Sequence, residues 1–128
     1  MRRSICIIDD DEIYQKIIKK LIARADVFDD AVFYTNAKEV LYDLMNSIIE
    51  LPSVILLDIN MPIMDGWQFL ENLENAFPFL YENTEIYMVT SSITYSDREK
   101  VEEYPNLSGF LSKPMSVEKL KEIGNSVK

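Results

Sequence analysis

Short unbroken runs of apolar residues alternate along this chain with stretches in which apolar residues recur every three or four positions. The first pattern predicts buried β-strands and the second predicts amphipathic helices. "SICIID", beginning at Ser4, is the first strand candidate. Ile13, Ile17, Ile18, Leu21 and Ile22 follow at helical spacing, predicting a helix from about Glu12 to Ala25. "AVFYT", from Ala31, is a second short strand. Asn36 with Glu39 three residues on has the form of a capping box. Val40, Leu41, Leu44, Met45, Ile48 and Ile49 then supply the apolar face of a second helix. "SVILLDI", from Ser53, is the third strand, and Trp67, Leu70, Leu73 and Phe77 mark a third helix. Asn75 to Asn83, rich in aromatics, reads as a long loop packed on itself. "EIYMVTSS", from Glu85, is the fourth strand, and Ser96 is the expected cap of a fourth helix running roughly from Asp97 to Tyr104. "LSGFLSK", from Leu107, is the fifth strand, and Val117, Leu120, Ile123 and Val127 mark a last helix.

The expected fold is therefore α/β, with five strands alternating with five helices. Strands that are continuously apolar imply a parallel sheet covered on both faces. Right-handed crossovers make such a sheet doubly wound and open. Its sites lie beyond the carboxyl ends of the strands.

Composition narrows the functional classes. The 128 residues suffice for one domain, residues 1–128, with a real core. An apolar share of 48% excludes a disordered chain. The net charge of −9 would repel a phosphate backbone, so no direct nucleic-acid binding is expected. The single cysteine, Cys6, cannot pair within the chain and reads as a small core residue, in keeping with a reducing cytoplasm. No run approaches the roughly 20 apolar residues of a membrane helix, so no membrane insertion is expected. The apolar run Ile5 to Ile8 is too short for a secretory signal. Histidine is absent, which removes the commonest general base and any phosphohistidine on this chain.

Chemistry concentrates at the predicted strand ends. The first strand runs into Asp9, Asp10 and Asp11, the third into Asp58, the fourth into Thr90, Ser91 and Ser92, and the fifth into Lys113-Pro114. In a parallel sheet these ends share one edge. Grouped carboxylates repel one another unless a cation intervenes, and a hard divalent ion such as Mg²⁺ suits their oxygens. A carboxylate, Mg²⁺, a lysine and a hydroxyl together make a phosphoryl-transfer site, with the carboxylate as nucleophile. Asp11 reads as a helix N-cap, and Asp65-Gly66 as a structural turn. A calcium loop starting at Asp58 is excluded, because Ile63 stands where that loop needs glycine.

"IIDDDE", "LLDINMPIMDGW", "MVTSS" and "GFLSKP" occur in the order and at about the spacing of the receiver domains of two-component response regulators, and the chain resembles that family over nearly its whole length. The resemblance implies a flavodoxin-like (βα)5 fold with strand order 2-1-3-4-5. It implies that Asp58 is the phosphoacceptor. Asp9 and Asp10 would form the acidic pair that binds Mg²⁺, Asp10 more directly, with Asp58 and the backbone carbonyl of Asn60. Thr90 would be the switch hydroxyl, Lys113 the lysine ahead of a cis bond to Pro114, and Phe110 the switch aromatic. Phe110 departs from a Tyr at that position in having no hydroxyl to hydrogen-bond.

The implied function is a signalling switch rather than an enzyme. A sensor histidine kinase or a histidine phosphotransfer protein would donate the phosphoryl group. The face built from the fourth helix, fifth strand and fifth helix would then change shape for a downstream protein target, and slow hydrolysis would reset it. With no attached output domain after the last helix, the switch is expected either to signal through another protein or to be a fragment of a longer chain. Two rivals carry less of the sequence. A haloacid-dehalogenase-like phosphatase would use Asp9 as nucleophile and Asp11 as acid/base, but leaves "LLDINMPIMDG" unexplained. A receiver-like module working by contact alone would not need the complete acceptor set.

Overall fold

A computed structural model describes residues 2–127. Five strands, β1 (Ser4–Ile8), β2 (Asp30–Tyr34), β3 (Val54–Asp58), β4 (Glu85–Thr90) and β5 (Gly109–Ser112), form one parallel sheet of order β2-β1-β3-β4-β5. The helices are α1 (Glu12–Ala25), α2 (Ala37–Met45), α3 (Gly66–Ala76), α4 (Leu80–Asn83), α5 (Tyr95–Glu102) and α6 (Val117–Ser126). The doubly wound, flavodoxin-like sheet expected from the sequence is the one observed.

Side chains alternate across each strand, so each strand feeds two cores. Ile5 and Ile7 of β1, Val54 and Leu56 of β3, and Tyr87 and Val89 of β4 meet α1 and α6 through Tyr14, Ile18, Ile22, Leu120 and Ile123. Cys6 and Ile8, Ile55 and Leu57, and Ile86 and Met88 point the other way, into a core closed by Val40, Leu44, Phe69, Leu70 and Leu73 of α2 and α3. β1 and β3 lie inside the sheet and are almost wholly buried, whereas β2 and β5 are the edges. Burial holds the Cys6 thiol up at about 12, so it stays protonated and acts as a small apolar residue.

Several local expectations are corrected. The buried stripe of α1 is Tyr14, Ile18, Ile22 and Ala25, while Ile13 and Ile17 are 73% and 49% exposed. Eight apolar positions on a helix define more than one possible stripe, and the docking angle on the sheet selects one. α2 stops at Met45 instead of running through Ile49, and Met45 and Ile48 are exposed. The fourth long helix starts earlier than expected, because Thr94 and not Ser96 accepts from the backbone N–H of Asp97 (3.1 Å). The aromatic stretch after α3 contains a sixth helix, the single turn α4, with Leu80 buried and the Tyr81 hydroxyl donating to Glu74 (2.6 Å). This is local packing of the kind expected for that loop.

Candidate functional site

The parallel sheet brings the carboxyl ends of β1, β3, β4 and β5 to one edge, and the predicted polar residues gather there. Asp9 directly follows β1 and is 2% exposed. Its backbone N–H donates to the carbonyl of Tyr34 (3.0 Å), tying the ends of β1 and β2 together. Its Oδ1 accepts from the backbone N–H of Asp11 (2.9 Å), and its Oδ2 lies 2.6 Å from Lys113 Nζ. Asp58, the last residue of β3, is 6% exposed, with Oδ1 3.6 Å from the same Nζ. Asp10 is exposed at the rim. One oxygen from each of Asp9, Asp10 and Asp58 fits within a group whose members all lie within 4.8 Å of one another.

Electrostatics follow from this crowding. Burial, and then the Asp9 charge, push the Asp58 carboxyl up to about 7, against the opposing pull of Lys113. Burial also raises Asp9, although Lys113 and the Asp11 N–H oppose it. With all three carboxylates ionised, one ammonium leaves two negative charges unmatched, which is the charge of one divalent cation. An all-oxygen set at the edge of the sheet suits Mg²⁺, which takes few protein ligands and keeps several waters. The donor set present therefore fits that ion.

The loop after β3 holds Asp58 in place. Gly66 opens α3 against this loop, and a Cβ there would lie 2.5 Å from the Asp58 carbonyl oxygen and 3.0 Å from Ile59 Cα. Only glycine permits that approach, although its φ is ordinary. The Gly66 N–H donates to the Ile59 carbonyl (2.8 Å), and Asp65 and Gln68 form a reciprocal capping box. Met61 is buried and Met64 half-buried, filling gaps as expected. Ile63 sits between them at φ 71°, a left-handed conformation that is costly for a β-branched residue. Asn60 is exposed in this loop, two residues beyond Asp58.

Thr90 is completely buried at the end of β4. Its hydroxyl donates to the Ser92 carbonyl (3.1 Å) and accepts from the Ser92 N–H (3.2 Å), so it is turned into its own loop. Its carbonyl accepts from the Lys113 backbone N–H (2.9 Å), coupling the ends of β4 and β5. The Lys113–Pro114 peptide is cis. Phe110 is half-buried on β5 and packs on the α2–α3 side of the sheet. Asp11 caps α1 by accepting from Ile13 and Tyr14 N–H groups, so the acid/base of the phosphatase reading is occupied structurally.

Two residues near this edge, Gln15 and Tyr14, were not singled out in the sequence, and a third, Trp67, was expected only to mark α3. Gln15 donates through Nε2 to the carbonyls of Asp9 (3.0 Å) and Tyr34 (2.8 Å). The Tyr14 ring lies beneath Lys113. Trp67 stacks on Tyr104, with ring centroids 5.5 Å apart, and its indole N–H reaches Asp97 at 3.4 Å, linking α3 to α5. For Tyr14, the i, i+4, i+8 spacing with Ile18 and Ile22 was the available signal.

The comparisons agree with this geometry. The family model for the response regulator receiver domain matches residues 5–125. A two-component response regulator from Cytophaga hutchinsonii is 24% identical, with a TM-score of 0.86, over 97% of this chain and 95% of its own. A response regulator receiver protein from Dyadobacter fermentans is 24% identical, with a TM-score of 0.81, over 94% of each chain. A chemotaxis protein from Vibrio cholerae is 20% identical, with a TM-score of 0.78, over the full length of both. These likenesses at low identity concern the fold. No curated protein sequence matches significantly. The chain belongs to the response regulator receiver domain family.

Proposed function

We propose that this receiver domain accepts a phosphoryl group on Asp58 and works as a two-component switch. The observation that carries the reading is a buried carboxylate at a strand end with a lysine and two further carboxylates around it. An Asp58 oxygen would attack the phosphorus of a phosphohistidine. The P–N bond breaks, the imidazole leaves with the electron pair and takes a proton, and an acyl phosphate forms. The chain has no histidine, so the donor is a separate sensor kinase or histidine phosphotransfer protein. Held by Asp9, Asp10, Asp58 and the Asn60 backbone carbonyl, Mg²⁺ would supply charge to offset the phosphoryl oxygens. Lys113 stands between Asp9 and Asp58 and would donate to one of those oxygens. Once the phosphoryl group is in place, Thr90 would exchange Ser92 for it, and Phe110 would follow into the space vacated. The face made of α5, β5 and α6 would change for a downstream protein, a population shift driven by different affinities of two states for the phosphoryl group. Hydrolysis of the acyl phosphate resets the switch. Cytoplasmic location fits this chemistry, and among the described residues no helix is long and apolar enough to cross a membrane. The acidic net charge argues against direct nucleic-acid contact.

Intact-mass spectrometry after incubation with acetyl phosphate tests the reading. One phosphoryl adduct is expected with Mg²⁺, none with EDTA, and none in Asp58→Asn. An adduct that survives in Asp58→Asn but disappears in Asp9→Asn would instead make Asp9 the nucleophile.

A further inference from the structure

Lys113 is bounded on three sides. Its Nζ lies 2.6 Å from Asp9, 3.6 Å from Asp58 and 4.4 Å from the centroid of the Tyr14 ring. Its side chain is 13% exposed. A lysine is a flexible, strongly hydrated cation, so a fixed ammonium needs something other than one ion pair to hold it. Tyr14 is well placed to do this. It is the third residue of α1, its N–H is capped by Asp11 (3.1 Å), and it is buried in the core shared with Ile18, Val89 and Met115. Its ring is therefore fixed by both the helix start and the sheet.

We propose that Tyr14 is a positioning residue for Lys113, its ring face seating the ammonium between Asp9 and Asp58 without using any of its hydrogen-bond donors. This rests on the reading of Asp58 as phosphoacceptor. An ammonium has three N–H donors. Asp9 takes one at close range, and Asp58 is beyond ordinary hydrogen-bond distance. A carboxylate or amide in place of the ring would occupy another donor. The π face attracts the cation electrostatically and leaves the remaining donors for incoming phosphoryl oxygens. Burial, and then the neighbouring Asp9 and Asp58 charges, hold the tyrosine neutral by raising its pKa.

The test combines a rate with a contact signature that does not depend on phosphorylation. Tyr14→Leu should slow adduct formation from acetyl phosphate at saturating Mg²⁺ by about two- to thirtyfold, the range of a partly desolvated cation–π contact. Tyr14→Phe should restore most of that rate, because it keeps the ring. By NMR, the ε-methylene protons of Lys113 should show an upfield ring-current shift in the wild type and in Tyr14→Phe, lost in Tyr14→Leu. Tyr14→Met replaces the leucine variant if that one does not fold. A ring-current shift lost without any change in rate would overturn the proposal and leave the acceptor role of Asp58 intact. So would a Tyr14→Phe variant as slow as Tyr14→Leu, or a wild type with no shift. A wild type that shows the shift but never forms an adduct on Asp58 would instead remove the acceptor reading, and the positioning role with it.

Discussion

α1 and α5 flank the same edge of the sheet and are attached to it very differently. α1 buries Tyr14, Ile18, Ile22 and Ala25 and starts on an aspartate cap that bonds two of its N–H groups. α5 buries no residue at all. It is tied down by half-buried Val101, by the stack of Trp67 on Tyr104, and by a long contact from the indole to Asp97. The strands divide in the same way. β1 and β3, which deliver Asp9 and Asp58, are interior and almost wholly buried, while β5, which carries Phe110, is a half-exposed edge. Alternation adds a second division, because Asp9, Asp58 and Lys113 meet on the α1 side, whereas Phe110 packs into the other core and Thr90, two residues past Met88, shares that side by strand alternation. The carboxylates and the Thr90 hydroxyl are held on interior, buried strands where local opening is expensive, and the Phe110 ring on an edge strand where it is cheap.

The sharpest way to probe the fixed half is its charge. The folded pKa of Asp58, about 7, lies above the ordinary carboxylate value. The folded state therefore holds this proton more tightly than the unfolded chain. The resulting stabilisation is complete below about pH 4 and is lost as pH rises through about 7. In metal-free buffer the stability should fall by up to roughly 4 kcal/mol between pH 4 and pH 8, as measured by denaturant titration. Asp58→Asn should flatten that slope and be more stable than the wild type at pH 8. A wild type whose stability is level across this range would show that the acidic site carries no buried strain.

Next in size is Gly66→Ala. The new Cβ meets backbone rather than a flexible side chain, so the end of β3 or the start of α3 must move. The expected loss is about 1–3 kcal/mol in chemical unfolding. A change within about 0.5 kcal/mol would mean that the Asp58 loop yields as easily as a surface segment, and the contrast with α5 would weaken.

Smallest in global effect is Trp67→Leu. Its cost should appear locally, as amide exchange over Tyr95–Glu102 faster by about two- to twelvefold, with protection in β1, β3 and α1 nearly unchanged. Equal acceleration in both halves would show that α5 does not open independently.

Much of this arrangement was legible in the sequence. Continuous apolar runs identified five strands, of which only the interior β1, β3 and β4 are buried, and their expected parallel pairing placed Asp9, Asp58, Thr90 and Lys113 on one edge. The reason is that strand direction and period are local properties, and a parallel sheet converts them into a shared end. The roles assigned to those residues came from family resemblance rather than from periodicity. Tertiary structure decided what depends on angle and distance between elements. It chose Tyr14 over Ile13 and Ile17 as the inward face of α1, because the helix's docking on β1 and β3 sets its rotation. It set Lys113 closer to Asp9 than to Asp58 and gave it an aromatic seat. It turned the Thr90 hydroxyl toward Ser92, and it left α5 without a buried residue. A sequence pattern specifies which residues are apolar and how often they recur. Which of them meet is settled only when the layers pack.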